Sequence, residues 1–250
     1  MERKIKSPAY IAQHIRRVLK DGGSAPHAEE VQRFFKEEVA SRGWRTHELR
    51  KVAARFRKVL LAEGGPDYLL AVADQLFRGP IQEEKNIAVE MLAKSAPQFG
   101  EAEFLLLESW LDRVSNWADH DALVHMLIGP MVVTDPARAA RAVDWAKSPN
   151  LWARRAACVA LIRGVRQGKF AAEVARVTSL LLEDKDEMVQ KGLGWLLRES
   201  AKHQPKPTLA LLMRIRFVAP RLVLRTACET VSAKEKQKVL QRARAAGQSR

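Results

Sequence analysis

The apolar positions of the chain recur with a helical period almost from end to end. Leu49, Val52, Ala53, Phe56, Val59 and Leu60 fall at i, i+3, i+4, i+7, i+10 and i+11, which is one face of a helix. Gly64 and Gly65 stop that helix and Pro66 opens the next. Val31, Phe34, Phe35 and Val39 mark a helix before it. Further on, Asp135-Pro136 reads as an N-cap followed by proline at the first helical position. Pro149, with Ser148 as a candidate cap, opens a helix through LWARRAACVALI, and Asp186 starts DEMVQKGLGWLLRESAK. Pro205 and Pro207 set off TLALLMRIRF, and Pro220 begins the next element. Short apolar runs such as Met131 to Val133 lack a partner run and hairpin chemistry, so no strand is expected.

About a dozen short helices joined by Gly, Pro and Asp turns make an all-α protein. Comparable pieces, IAVEMLAKSAPQF, WARRAACVALIRGV and VQKGLGWLLRESA, recur at a spacing of roughly 40 residues, inside the range of HEAT and armadillo repeats. The expected fold is an α-solenoid of HEAT-like helical repeats with a concave face open to a large ligand. A compact bundle would show fewer and longer helices. No low-complexity linker interrupts the pattern, so residues 1–250 read as a single domain.

Charge adds direction to this picture. Lys and Arg number 43 against 29 Asp and Glu, a net charge of +14. The excess is segregated: +8 over residues 1–60, −7 over 61–150 and +13 over 151–250. Two basic ends around an acidic middle suit a polyanion gripped by its phosphates, with carboxylates close to the bound strand. A mixed solvated surface with no such meaning is the plainer alternative. Two cysteines, Cys158 and Cys228, exclude a disulfide scaffold and a cysteine-based zinc site. Cys158, on a helix, reads as a small core thiol. The start, MERKIKSPAY, has no apolar region behind its charges, and the most apolar short run, MLIGPMVV, is far too short to cross a bilayer. A soluble, cytoplasmic protein is expected.

Three helix faces do not behave like core. In DEMVQKGLGWLLRESAK the buried stripe is Val189, Leu193, Leu196 and Leu197, while Lys191, Trp195 and Arg198 share another face. An indole between two cations suits a sugar-phosphate backbone. The alternative is a buried tryptophan with snorkelling cations. Gly192 and Gly194 weaken this helix, which points to close backbone approach rather than a nucleotide-binding loop. In VSNWADHDALVHML, Trp117 and Asp121 lie four apart on one face, with Leu123, Met126 and Leu127 as the buried stripe. An aromatic beside a carboxylate can hold a sugar that develops positive charge. Helix-start acids favouring the dipole explain Asp119 and Asp121 equally well. His120 and His125 are five apart and do not share a face, so no metal site is expected. In the helix after Pro149, Arg155 lies among Trp152, Val159 and Ile162, so it needs a partner: a structural carboxylate, Asp121 among them, or a phosphate. Arg154 beside it points elsewhere and reads as solvated. A P-loop, GxSxG and HExxH are all missing.

Together NWADHDAL, SPNLWARRAA and VQKGLGWLLRES, in that order, resemble the AlkD-like alkylpurine DNA glycosylases, whose HEAT-like repeats form a basic concave face. The similarity runs from about residue 25 to about residue 235. The family removes N3- and N7-alkylated purines, whose bases are cationic. The resemblance implies that Trp117 and Trp195 contact the sugar, that Asp121 is the catalytic aspartate, and that Arg155 and Arg198 hold phosphates. It also implies an aromatic before the first conserved glycine. That position is matched to Phe34, which lacks the hydroxyl of the tyrosine carried by the best-known members. Asp119 receives no role.

These resemblances imply a monofunctional enzyme that excises cationic purines from double-stranded DNA in base excision repair. It would work without flipping the base into a pocket and without a metal or small-molecule cofactor. A monomer is expected, with Lys191 joining the DNA contacts. Two rivals stand beside this reading: a noncatalytic HEAT-like scaffold for DNA or an acidic protein, and a nonspecific RNA-binding helical repeat. An Asp121 locked into a structural ion pair away from the groove would favour the scaffold.

Overall fold

A computed structural model describes residues 5–241, and those residues are helices and turns with no strand among them. The chain divides into two compact units, residues 1–128 and 129–250.

In the first unit a helix spans Pro8–Asp21, with Ser7 Oγ accepting from the Tyr10 amide and proline at the first helical position. The periodic stretch after residue 45 is helical from Thr46 to Phe77, broken at Gly65, whose φ of 74° leaves the right-handed region. This is the expected stop before Pro66. The segment packs on the helix Gln82–Leu92 around Leu60, Leu69, Phe77, Ile87 and Met91. Trp110 stacks on Phe77 at 4.4 Å between ring centroids.

The helix expected through Val31 to Val39 ends earlier. It spans Ala25–Gln32, and the chain then turns back through residues 33–39. Gln32 closes that turn, donating to the Glu37 carbonyl at 2.8 Å and accepting from the Val39 amide at 2.9 Å. Phe34 and Phe35 therefore lie beyond the helix, and a helical period does not describe which of them faces inward.

Of the fourteen acidic residues in the middle of the sequence, Asp74, Glu83, Glu84 and Asp119 are buried. Asp74 accepts from Trp110 Nε1 at 2.9 Å, Arg113 at 2.6 Å and Arg78 at 2.7 Å. Burial raises its pKa, but the two guanidiniums outweigh that and hold the carboxyl below its ordinary value. Glu84 pairs with Arg16 at 2.8 Å. These carboxylates hold helices together, so they are not available to a bound strand.

In the second unit the caps follow the sequence with one shift. Asp135 accepts from the Ala137 amide and opens Pro136–Asp144; Asp186 accepts from the Met188 and Val189 amides and opens Glu187–His203. The helix after Pro149 is capped by Asn150 instead of Ser148, and it spans Leu151–Val159. Ser148 Oγ accepts from the Asn150 amide, two residues before the cap. Both internal glycines of Glu187–His203 are explained by contact. A Cβ at Gly194 would lie 2.6 Å from Thr226 Cβ on the packed helix Arg221–Ala227, and one at Gly192 would lie 3.1 Å from Arg155 Cγ. Cys158 and Cys228 are buried free thiols, and burial raises both. Among the described residues no helix is long and apolar enough to cross a membrane.

Candidate functional site

The candidates in the first unit sit on the helix Trp117–Leu123, and its start explains their placement. Asn116 caps it, accepting from the Ala118 and Asp119 amides at 2.9 Å each. The cap position is thus filled by an amide side chain. Neither aspartate is needed there.

The two aspartates then part company. Asp119 is 1% exposed at its side chain and takes the Lys85 ammonium at 2.8 Å. Lys85 also donates to the Arg113 carbonyl at 2.7 Å and to Ser115 Oγ at 2.8 Å. Burial pushes the Asp119 carboxyl above the ordinary range even with Lys85 beside it. This gives the aspartate with no role in the sequence reading a structural one. Asp121 is 23% exposed and lines a cleft of about 330 Å³. Trp117, one turn earlier, lines the same cleft. A π-helical turn at Val124–Ile128 follows, and Met126, expected in the buried stripe, also borders the cleft. Leu123 and Leu127 are buried as expected.

The ring beside Trp117 is Phe35, stacked at 5.1 Å and 20°. Phe34, the residue matched from sequence, is 76% exposed. The helix ends at Gln32, and the adjacent FF pair carries no signal to tell which ring meets Trp117.

The far wall of the cleft was not foreseen. Glu83 is buried and its carboxylate gathers one loop: Ser41 Oγ donates to it at 2.7 Å, and the amides of Arg42, Gly43 and Trp44 at 2.8, 2.9 and 3.3 Å. Trp44 is fixed further by its Nε1 donating to the Leu19 carbonyl at 2.7 Å. Loop and carboxylate are about 40 residues apart in sequence, so no local pattern could reveal the pairing.

In the second unit Lys191, Trp195 and Arg198 are all part-exposed on Glu187–His203, off the buried stripe of Val189, Leu193, Leu196 and Leu197. The two cations have internal partners. Lys191 pairs with Glu187 at 2.8 Å, and Arg198 pairs with Glu229. Arg155 is 5% exposed; it packs across Gly192 and donates from Nη1 to the Met188 carbonyl at 2.6 Å. A main-chain carbonyl in the first turn of Glu187–His203 thus meets part of the need that its apolar surroundings created. Arg154, expected to be solvated, instead binds Asp184 at 2.7 Å and the carbonyls of Ser148 and Pro149 at 3.1 and 2.9 Å.

Comparisons with known proteins agree with this architecture. A predicted DNA alkylation repair enzyme from Enterococcus faecalis superposes with a TM-score of 0.76, at 15% identity, over 84% of this chain and 97% of that one. AlkD2 from Streptococcus mutans superposes at 0.59, with 18% identity, over 88% and 99%. At such identities the likeness speaks for the all-α helical-repeat fold. Among curated proteins no sequence matches. The model of the DNA alkylation repair enzyme family matches residues 15–231. That match starts some ten residues before the resemblance read from the motifs and reaches into the Pro8–Asp21 helix. Extending through both units and every candidate residue, it shows that the chain belongs to the DNA alkylation repair enzyme family.

Proposed function

We propose that the protein is a monofunctional DNA glycosylase that excises N3- and N7-alkylated purines from duplex DNA. Family membership assigns it a part in DNA alkylation repair, with DNA as the substrate. The finer reading is carried by one observation. Of the two aspartates on Trp117–Leu123, Asp119 is consumed in a buried ion pair, while Asp121 stands on a solvent-reached cleft one turn from Trp117.

Alkylation at N3 or N7 makes the purine cationic, so the base departs neutral and needs no acid to protonate it. The bond to C1′ breaks with its electrons going to the base, and the sugar is left with oxocarbenium character. The Asp121 carboxylate stabilises that charge, and the electron-rich Trp117 face favours it too. Water then adds to C1′ and releases a proton. At about 4 Å and an effective dielectric near 20, one carboxylate contributes on the order of 4 kcal/mol, close to a thousandfold in rate. No base-reading pocket is required, because selectivity resides in the leaving group. The base therefore leaves without being flipped into a pocket.

The remaining roles follow from the same reading. Trp195 is assigned to the sugar, Lys191, Arg198 and Arg155 to the DNA backbone, and Phe34 to DNA contact. The enzyme works as a monomer.

The test is release of 7-methylguanine and 3-methyladenine from methylated duplex DNA. Wild type releases both, and Asp121→Asn slows release by about two to three orders of magnitude while intact DNA binds as before. Undiminished release by Asp121→Asn removes Asp121 from catalysis. Efficient release of uracil, a neutral base that leaves only with protonation, contradicts the mechanism.

A further inference from the structure

Asp121 carries a hydrogen bond that the proposed chemistry leaves unused. Its Oδ1 lies 2.7 Å from Nδ1 of His120, the preceding residue, whose side chain is completely buried. Neighbours in a helix normally diverge by about 100° and do not meet. Here they do, on a helix that gives way to a π-helical turn three residues later. An ionised carboxylate only accepts, so the ring nitrogen that faces it must carry the proton. The donor is immobile: packing on every side holds the imidazole, and the bond fixes which Asp121 oxygen turns inward.

We propose that His120 is a positioning residue for the excision reaction, holding the Asp121 carboxylate in the rotamer that presents its charge to the cleft. This rests on Asp121 acting in excision as described above. A carboxylate free to turn spends part of its time away from C1′, and electrostatic stabilisation depends on charge fixed in advance. The sequence reading considered His120 only as a metal ligand. Its use as a donor to the next residue becomes visible once Asp119 is seen to point inward.

The experiment combines single-turnover 7-methylguanine release, DNA binding and thermal unfolding for His120→Leu, His120→Asn, Asp121→Asn and the double variant His120→Leu/Asp121→Asn. His120→Leu is expected to slow release about tenfold with DNA affinity within about twofold of wild type, the size of one lost charge-assisted hydrogen bond. His120→Asn, whose amide can occupy the Nδ1 position, recovers most of that rate. In the Asp121→Asn background the His120→Leu change costs nothing further, because the two residues act through one interaction.

Normal release by folded His120→Leu overturns the inference, as does a full additional loss in the double variant or a failure of His120→Asn to recover rate. A second measurement does not depend on activity. Nitrogen NMR of the imidazole is expected to show the proton on Nδ1, with that resonance moved by Asp121→Asn; a proton on Nε2 alone overturns the inference. Absence of base release by wild type overturns the proposed function, and the positioning role falls with it. Asp121-dependent release that ignores His120 overturns this inference alone.

Discussion

The two units present their candidate residues in opposite ways. In the first, Trp117 and Asp121 stand on a cleft, and the neighbouring charges have been drawn inside: Asp119 to Lys85, Asp74 to two arginines, Glu83 to a loop. In the second, the candidate cations themselves are tied into the fold, Arg155 to a main-chain carbonyl and Arg198 to Glu229. A side chain recruited for chemistry needs an accessible charge at a fixed point. One recruited to hold a backbone can also serve the fold, since phosphate contact needs only a positive group within reach. Changes in the first unit should therefore separate rate from stability cleanly, and changes in the second should mix stability with affinity.

The sharpest test compares two aspartates of one helix. Asp119→Ala leaves Lys85 buried without its carboxylate, and breaking such a pair costs about 3–5 kcal/mol of stability. Thermal or urea unfolding should register that loss. Any fall in excision should disappear when the rate is referred to the folded fraction. Asp121→Asn should do the reverse, with a loss of about 3–4 kcal/mol in the transition state and little change in unfolding. If Asp119→Ala folds normally and loses excision as Asp121→Asn does, the division of labour between the two is wrong.

How far the sequence anticipated this arrangement follows the range of the interactions concerned. The caps at Asp135 and Asp186, the break at Gly65 and the buried stripe of Glu187–His203 are local, and their periodicity and turn chemistry stand in the residue order. So does the i, i+4 placement of Trp117 and Asp121. Gly192 and Gly194, inside a helix, point to close approach, though not to what. The inward turn of Asp119, the carboxylate of Glu83 and the partner of Arg155 depend on residues 33 to 42 positions away, which no local pattern names. Phe35 escaped notice because the helix ends three residues before it, so its period does not apply there.

Arg155→Ala is the next largest effect and breaks the second unit's side of the comparison. It removes a charged donor from the Met188 carbonyl and the aliphatic stem that covers Gly192. A loss of about 1.5–3 kcal/mol is expected in urea unfolding, from the hydrogen bond and the emptied space together. DNA binding by the folded fraction should weaken equally for damaged and undamaged duplex. Unchanged stability would show that the buried arrangement contributes nothing to the fold.

Acid should then affect the two units through similar groups. Asp74 in the first unit is held below its ordinary pKa by Arg113 and Arg78 against the raising effect of burial. Glu199 in the second is held low by Lys202 and Arg166 in the same way. A carboxylate with a lowered folded value contributes stability that is fully present above its unfolded pKa of about 4 and is lost as pH falls through the folded value. Asp119 has the opposite sign: its raised value means stability falls as pH rises from the unfolded value to the folded one. Glu199→Gln should accordingly flatten the acid limb of the stability profile. An acid limb as steep as wild type would show that the Glu199 cluster does not contribute to it.

The smallest change expected in the fold is that of Arg198→Ala, and it isolates DNA contact from structure. The lost ion pair with Glu229 is part-exposed on both sides, so stability should drop by less than about 1 kcal/mol. The informative readout is salt. If about 4–8 phosphates are neutralised by the basic regions, log affinity for duplex DNA should fall against log salt with a slope of roughly −4 to −7. Removing one phosphate contact makes that slope shallower by about 1. Arg198→Ala should show that shift on damaged and undamaged duplex alike, with the excision rate at saturating enzyme close to wild type. A slope unchanged from wild type would assign Arg198 wholly to Glu229. Arg155 and Arg198 would then both serve the fold, and DNA attraction would have to come from Lys191 and the remaining lysines and arginines. A shallower slope with unaltered unfolding would establish the dual use directly, because an ion pair worth so little can be exchanged for a phosphate when DNA arrives.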